Sequence, residues 1–157
     1  MTDELHIRPA TSEDVDGLVG LYRSAYETAD ELGFPSSMLE TDADRIDEWL
    51  DDDESNLWVA EREGALVAAV RMLESRACPY GERLAVRPDA QGEGLGTRLR
   101  EFIEARARAR GYETLQIATF DDHPFLVDHY RENGYEPFDR WESEGRPYDV
   151  IGLEKRL

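Results

Sequence analysis

The stretch from Glu82 to Gly111, ERLAVRPDAQGEGLGTRLREFIEARARARG, limits what this chain can fold into more than any other. Leu84, Ala85 and Val86 are a short apolar run suited to a buried strand. Residues Arg87 to Gly96 read as a turn, with Pro88, Asp89 and glycines at 92, 94 and 96. A helix pattern then runs to Arg110, with Leu95, Leu99, Phe102 and Ile103 on one apolar stripe. Arg106, Arg108 and Arg110 crowd its last turn, where cations suit the helix dipole, and Gly111 supplies the stop. A strand feeding a glycine-rich turn and then a helix is physically an anion cradle. Glycines let the backbone approach closely, and the first helical N–H groups lack intrahelical partners.

Spacing decides which phosphate ligand such a cradle suits. A P-loop requires Lys after its last glycine, and none follows Gly96. A dinucleotide fingerprint requires G-x-G-x-x-G, whereas this turn reads G-x-G-x-G in mid-chain. Gln91-Gly92-Glu93-Gly94-Leu95-Gly96, with Val86 and Pro88 upstream, instead resembles motif A of the GNAT N-acetyltransferase superfamily, Q/R-x-x-G-x-G/A. The resemblance implies acetyl-CoA as co-substrate. Its pyrophosphate would lie on the amides of Gln91, Gly92, Glu93, Gly94, Leu95, Gly96 and Thr97, and its pantetheine along Leu84, Ala85 and Val86. It also implies that the strand carrying these three residues splays from the next one. HPFLVDHYRENGYEP, from His123 to Pro137, is similar to motif B, in which an Asn opens a helix and a Tyr follows seven residues later. Tyr130 matches that Tyr, and Gly134-Tyr135 the Gly-aromatic pair. His123 stands where Asn is usual and Leu126 where a small residue is usual. His123 is the pantetheine contact expected from this helix.

The remaining chain fits one such domain over residues 1–157. Leu5, Ile7 and Pro9 begin a strand, and Thr11 with Asp14 forms a capping-box-like start to a helix reaching about Leu32. A second helix runs from about Asp42 to Leu50. Leu57–Arg62 and Ala65–Leu73 are strands joined at Glu63-Gly64, and Arg76–Gly81 reads as a connection. Thr114–Phe120 is a strand after the long helix, so it is expected parallel to the strand before that helix. Asn133-Gly134 ends the motif B helix, and Tyr135–Trp141 and Tyr148–Leu153 form a hairpin around Glu144-Gly145. The fold class is therefore α/β (α+β): a central mixed twisted sheet of about six or seven strands with flanking helices.

Composition narrows the partners. The net charge is −18, and the 18 basic residues include one lysine, Lys155. Abundant Asp and Glu with scarce Lys resembles proteins of salt-loving cells, so the charge reports habitat more than partner. It argues against nucleic acid, which wants a basic face. No apolar run approaches a membrane span, and MTDELHIRPA lacks the apolar core of a secretory signal. The single Cys78 excludes an intramolecular disulfide and fits a reducing compartment. A cytoplasmic protein is expected, and dimers are common in the family.

The chemistry implied is direct transfer of an acetyl group to an amine, with no metal. Tyr130 is the candidate acid for the leaving thiolate, and a backbone N–H near Ala85 or Val86 the oxyanion donor. Glu82 is the candidate base for the attacking ammonium. Strand alternation places it on the same sheet face as Leu84. Tyr22, Tyr26, Phe34, Met38, Trp49 and Trp141 are core, acceptor-site wall, or both. The acceptor, a small molecule or a protein amine, is open. The alternative is a degenerate domain that binds acetyl-CoA or a protein without turnover.

Overall fold

The computed structural model describes residues 4–33, 36–74, 77–121, 126–142 and 147–157. In chain order the elements are β1 (His6–Pro9), α1 (Val15–Glu31), α2 (Ala43–Asp51), β2 (Ser55–Arg62), β3 (Ala65–Leu73), β4 (Tyr80–Val86), α3 (Leu95–Ala109), β5 (Thr114–Phe120), α4 (Leu126–Glu132), β6 (Glu136–Glu142) and β7 (Asp149–Arg156). The strands form one mixed sheet of seven, ordered β1-β2-β3-β4-β5-β7-β6. All neighbours are antiparallel except β4 and β5, which run parallel with α3 as the crossover.

Local chemistry explains most boundaries. The β2–β3 turn places Glu63 at φ 52° and Gly64 at φ 79°, the positive pair that matches strand twist in a two-residue hairpin. Asp42 caps α2 by accepting from the Arg45 N–H at 3.0 Å. Asp14 accepts from the Thr11 N–H at 2.8 Å, but the turn it closes is 3-10, and α1 begins one residue later. The same carboxylate takes both Arg8 donors, at 2.8 and 2.9 Å. Gly111 and Gly134 stop α3 and α4 at φ 88° and 96°. Tyr80 and Gly81, expected in the connection before it, are the first residues of β4. The turn expected at Glu144-Gly145 lies outside the described residues, although the hairpin's strands β6 and β7 pair as expected.

The sheet is covered on both faces. Leu95, Leu99, Ile103 and Ala107 of α3 pack in one cluster with Trp58 and Ala60 of β2 and Val67, Ala68, Val70 and Met72 of β3. Leu18, Tyr22, Ile46 and Trp49 of α1 and α2 cover the other face against Leu57, Val59, Ala69 and Ala85. Tyr130 and Tyr135 join Ile117, Ile151 and Leu153 in a smaller third cluster beneath α4.

Beneath α3 lies a buried charge network. The Glu104 carboxylate, 5% exposed, accepts from Arg100 at 2.6 Å, from the Tyr135 hydroxyl at 2.7 Å and from Lys155 at 3.2 Å. Burial pushes this carboxyl up, but the donors of Tyr135, Arg100 and Lys155 together hold it below the ordinary glutamate value. Its stabilisation is therefore complete above an unfolded pKa of about 4.3 and is lost as pH falls through the depressed folded value. Glu104→Gln keeps the shape and removes the charge from beside two cations. We expect a loss of about 2 kcal/mol at neutral pH, read by denaturant unfolding. The gap to the unsubstituted protein closes below about pH 4. Equal stability at pH 7 would show that the network contributes nothing net.

Candidate active site

β4 and β5 pair only where β4 begins, with Tyr80 opposite Gln116 and Gly81 opposite Ile117. Beyond these pairs the strands part. Gly81 lets α3 sit close over this pair, since a Cβ there would lie 2.7 Å from the Ile103 Cδ1 and 3.3 Å from Ile117, and the Ile103 side chain would have to shift. Where the strands part, β4 is irregular. Ala69 faces Ala85 and Arg71 faces Glu82, so β4 carries one extra residue between these pairs, and Arg83 takes a left-handed φ of 51°. The opening between the strands is a cavity of about 1080 Å³ that runs from the glycine turn to Trp141 and Tyr148.

The cradle stands at one end. Gly92 and Gly94 have φ values of 85° and 80°, conformations that favour glycine, and space is open within 4 Å of a Cβ built on either. Gly94 caps α3, and the first helical bond runs from the Arg98 N–H to its carbonyl at 3.1 Å. The amides of Leu95, Gly96 and Thr97 are thus free of intrahelical partners. A Cβ at Gly96 would stand 3.7 Å from Leu84 and 3.9 Å from Val86, so this glycine brings the helix start close above β4. Leu84, Ala85, Val86, Gln91, Gly92, Gly94, Leu95, Gly96 and Thr97 all line the cavity. The Glu93 side chain does not; its carboxylate pairs with Arg62 at 3.0 Å. The residues present therefore fit a diphosphate, with backbone donors at the helix start and the Glu93 carboxylate turned away to Arg62.

On β4 the Arg87 N–H donates to the Val67 carbonyl of β3 at 2.8 Å. By alternation, the peptide groups of Leu84 and Val86 turn to the unpaired side. The Val86 carbonyl there accepts from the Gln91 side chain at 3.2 Å. Of the two candidate oxyanion donors, Val86 is the one whose N–H faces the unpaired side.

Tyr130 is buried on α4 and lines the same cavity. Burial pushes its hydroxyl up to about 12, with the Arg100 cation pulling the other way. Among the described residues no group hydrogen-bonds this hydroxyl. It therefore stays protonated at neutral pH and is free to donate. His123 lies outside the described residues, as does Phe34.

Glu82 corrects the alternation argument. Leu84 and Val86 pack on the α3 side, in the cluster with Leu95 and Leu99. Glu82 lies on the other side, where Arg71 donates to it at 2.5 Å and stacks 4.5 Å from the Trp49 ring centre. The extra residue at Arg83 reverses the parity of everything before it. Glu82 still lines the cavity, sharing its carboxylate with Arg71. The aromatic set also separates: Tyr22, Met38 and Trp49 are buried core, while Tyr26 and Trp141 line the cavity. Sequence reasoning missed Arg71, Arg83 and Arg100. Arg100 carries the only available signal, a Glu four residues on along the flank of the apolar stripe.

A strand pair splayed over a glycine cradle, with a neutral tyrosine in the opening, agrees with what the chain is similar to. The acetyltransferase (GNAT) family matches residues 19–135. The chain belongs to this family. An amino-acid acetyltransferase of Ectopseudomonas mendocina is 32% identical over 133 residues, which make up 83% of this chain and 27% of the relative. The GNAT chain thus spans about a quarter of the length of the first curated relatives it matches. An S-alkylcysteine N-acetyltransferase of Bacillus subtilis is 27% identical, over 92% of this chain and 85% of the relative. The solved PaiA N-acetyltransferase of Thermoplasma acidophilum, in complex with coenzyme A, superposes with a TM-score of 0.83. It covers 98% of this chain and 99% of that one at 14% identity, a likeness of fold.

Proposed function

We propose that this chain is an N-acetyltransferase that moves an acetyl group directly from acetyl-CoA to an amine. The observation that carries the reading is the single cavity joining the Gly92–Gly96 cradle, the unpaired edge of β4 and the Tyr130 hydroxyl. When bound, acetyl-CoA supplies an activated acyl carbon. The amides after Gly94 hold the diphosphate, and the open edge of Leu84 and Val86 aligns the pantetheine like an added strand. The Val86 N–H is placed to stabilise negative charge that develops on the acyl oxygen. Tyr130 gives its proton to the departing sulfur, and Glu82 takes one from the ammonium, directly or through water. Cys78 has no part in this scheme.

Relatives named for amino acids and for S-alkylcysteine make a small amine the first acceptor class to test. The composition further suggests a protein adapted to high salt. Calorimetric titration with acetyl-CoA, in molar and in dilute salt, tests the cradle, and release of the coenzyme A thiol with a panel of amines tests transfer. Micromolar binding with turnover supports the enzyme. Binding without turnover on any amine would make the chain a binding domain, and no binding by folded protein would remove the cradle itself.

A further inference from the structure

The extra residue in β4 brings two opposite charges to the acceptor end of the cavity. Glu82 and Arg83 both line it, and Tyr26, Trp141 and Tyr148 lie around the same opening. Glu82 is held by Arg71. Arg83 has no such partner. Among the described residues no carboxylate lies within 4.0 Å of its guanidinium, although acidic residues outnumber basic ones 36 to 18. Its Nε is buried without a hydrogen bond. The guanidinium lies beside the Tyr26 hydroxyl, and burial pushes that hydroxyl up while Arg83 opposes the shift.

The backbone is built for this placement. Arg83 adopts φ 51°, a left-handed conformation that a long side chain rarely takes. Its carbonyl is fixed by the Tyr22 hydroxyl, which donates at 2.8 Å from α1. The Tyr26 hydroxyl and the neighbouring Glu82, itself already paired with Arg71, favour the charged form, but a half-buried guanidinium bonded to no carboxylate still has donors to offer an anion. In so acidic a protein the surroundings would repel a dissolved anion, so an anionic ligand needs a local cation of this kind.

We propose that the acceptor carries a carboxylate next to its reacting amine, and that Arg83 binds that carboxylate. The inference rests on the acetyltransferase reading. The two neighbouring charges then match the two charges of an α-amino acid, Glu82 towards the ammonium and Arg83 towards the carboxylate. A guanidinium suits this task because its planar donors engage both carboxylate oxygens. A free amino acid satisfies the arrangement, whereas the N-terminal residue of a protein does not, because its α-carboxyl is an amide.

The test compares L-amino acids with apolar, polar, acidic and thioether side chains against their primary carboxamides, with coenzyme A thiol release as the readout. For the best acceptor, kcat/KM for the acid exceeds that for the amide by about 10²-fold. Arg83→Gln removes this preference by raising KM for the acid about 10²-fold, leaves the amide and acetyl-CoA affinity unchanged, and Arg83→Lys restores part of it. Circular dichroism of both variants checks folding, and the acid–amide comparison on the unsubstituted protein needs no variant. Thiol release that is equal with acids and amides, or an Arg83→Gln variant that loses both alike, overturns the inference and leaves acetyl transfer standing. No thiol release with any amine removes the acetyltransferase reading, and the inference with it.

Discussion

Gly94→Glu lowers the affinity for coenzyme A by at least about 10²-fold while the protein stays folded. Two effects add. Gly94 caps α3 at φ 80°, where a side chain costs about 1–2 kcal/mol. The larger effect is electrostatic: the new carboxylate would stand at the mouth of the amides meant for a diphosphate, replacing a site for negative charge by a negative charge. Folding survives because nothing lies within 4 Å of a Cβ built there. Gly94→Ala separates the two effects, since it carries the backbone strain without the charge and is expected to lose far less affinity. The gap between the two variants narrows in high salt, where repulsion between exposed charges is screened. Calorimetry on all three proteins reads the result. Wild-type affinity in Gly94→Glu would mean that the turn holds no phosphate.

The cradle was legible because its requirements are local. Glycines at fixed spacing, a preceding strand and a following apolar stripe are all written within one short stretch, and backbone geometry follows from them directly. The β4–β5 relation was legible for a similar reason, since a strand, a long helix and a strand leave little choice but a parallel crossover. The parity of β4 was not. Nothing in YGERLAV marks an extra residue, because the left-handed position is taken by Arg83 and not by a glycine. Alternation therefore assigned Glu82 to the face opposite the one it occupies. Gly81 was read as part of a connector, although it leaves room for Ile103 packed directly over it, a contact set by α3 some twenty residues later.

Buried charge was equally hidden. Arg100 and Glu104 look like a solvated pair on the flank of α3, a reading usually right for charges at that spacing. They are buried because Tyr135 and Lys155, from the other end of the chain, close over them. A local pattern cannot reveal a partner that tertiary structure supplies. The same limit applied to the aromatic wall: Tyr22 and Tyr26 lie one helical turn apart, yet one is core and the other faces the cavity.

Tyr130→Phe is the variant that separates catalysis from binding. Phenylalanine fills the same buried space between Ile117, Tyr135 and Ile151 and removes a single hydroxyl. That hydroxyl supports no hydrogen bond among the described residues, so its loss leaves no unpaired partner and costs little stability. The expected result is a fall in kcat of about 10²-fold or more, with acetyl-CoA affinity and melting temperature retained. The pH dependence adds a second signature. With its pKa pushed up by burial to about 12, Tyr130 stays protonated through the neutral and mildly alkaline range. Deprotonation of the acid therefore does not limit the unsubstituted enzyme there, and a rise in rate with pH reports loss of a proton from the amine or its base. Acetyl donors activated as thioesters of a more acidic thiol would test the assignment further. A sulfur that needs no proton to depart makes Tyr130→Phe nearly silent, while a tyrosine that merely shapes the pocket slows good and poor leaving groups alike. An unchanged kcat with acetyl-CoA would remove Tyr130 from the chemistry and leave it as a wall of the third hydrophobic cluster.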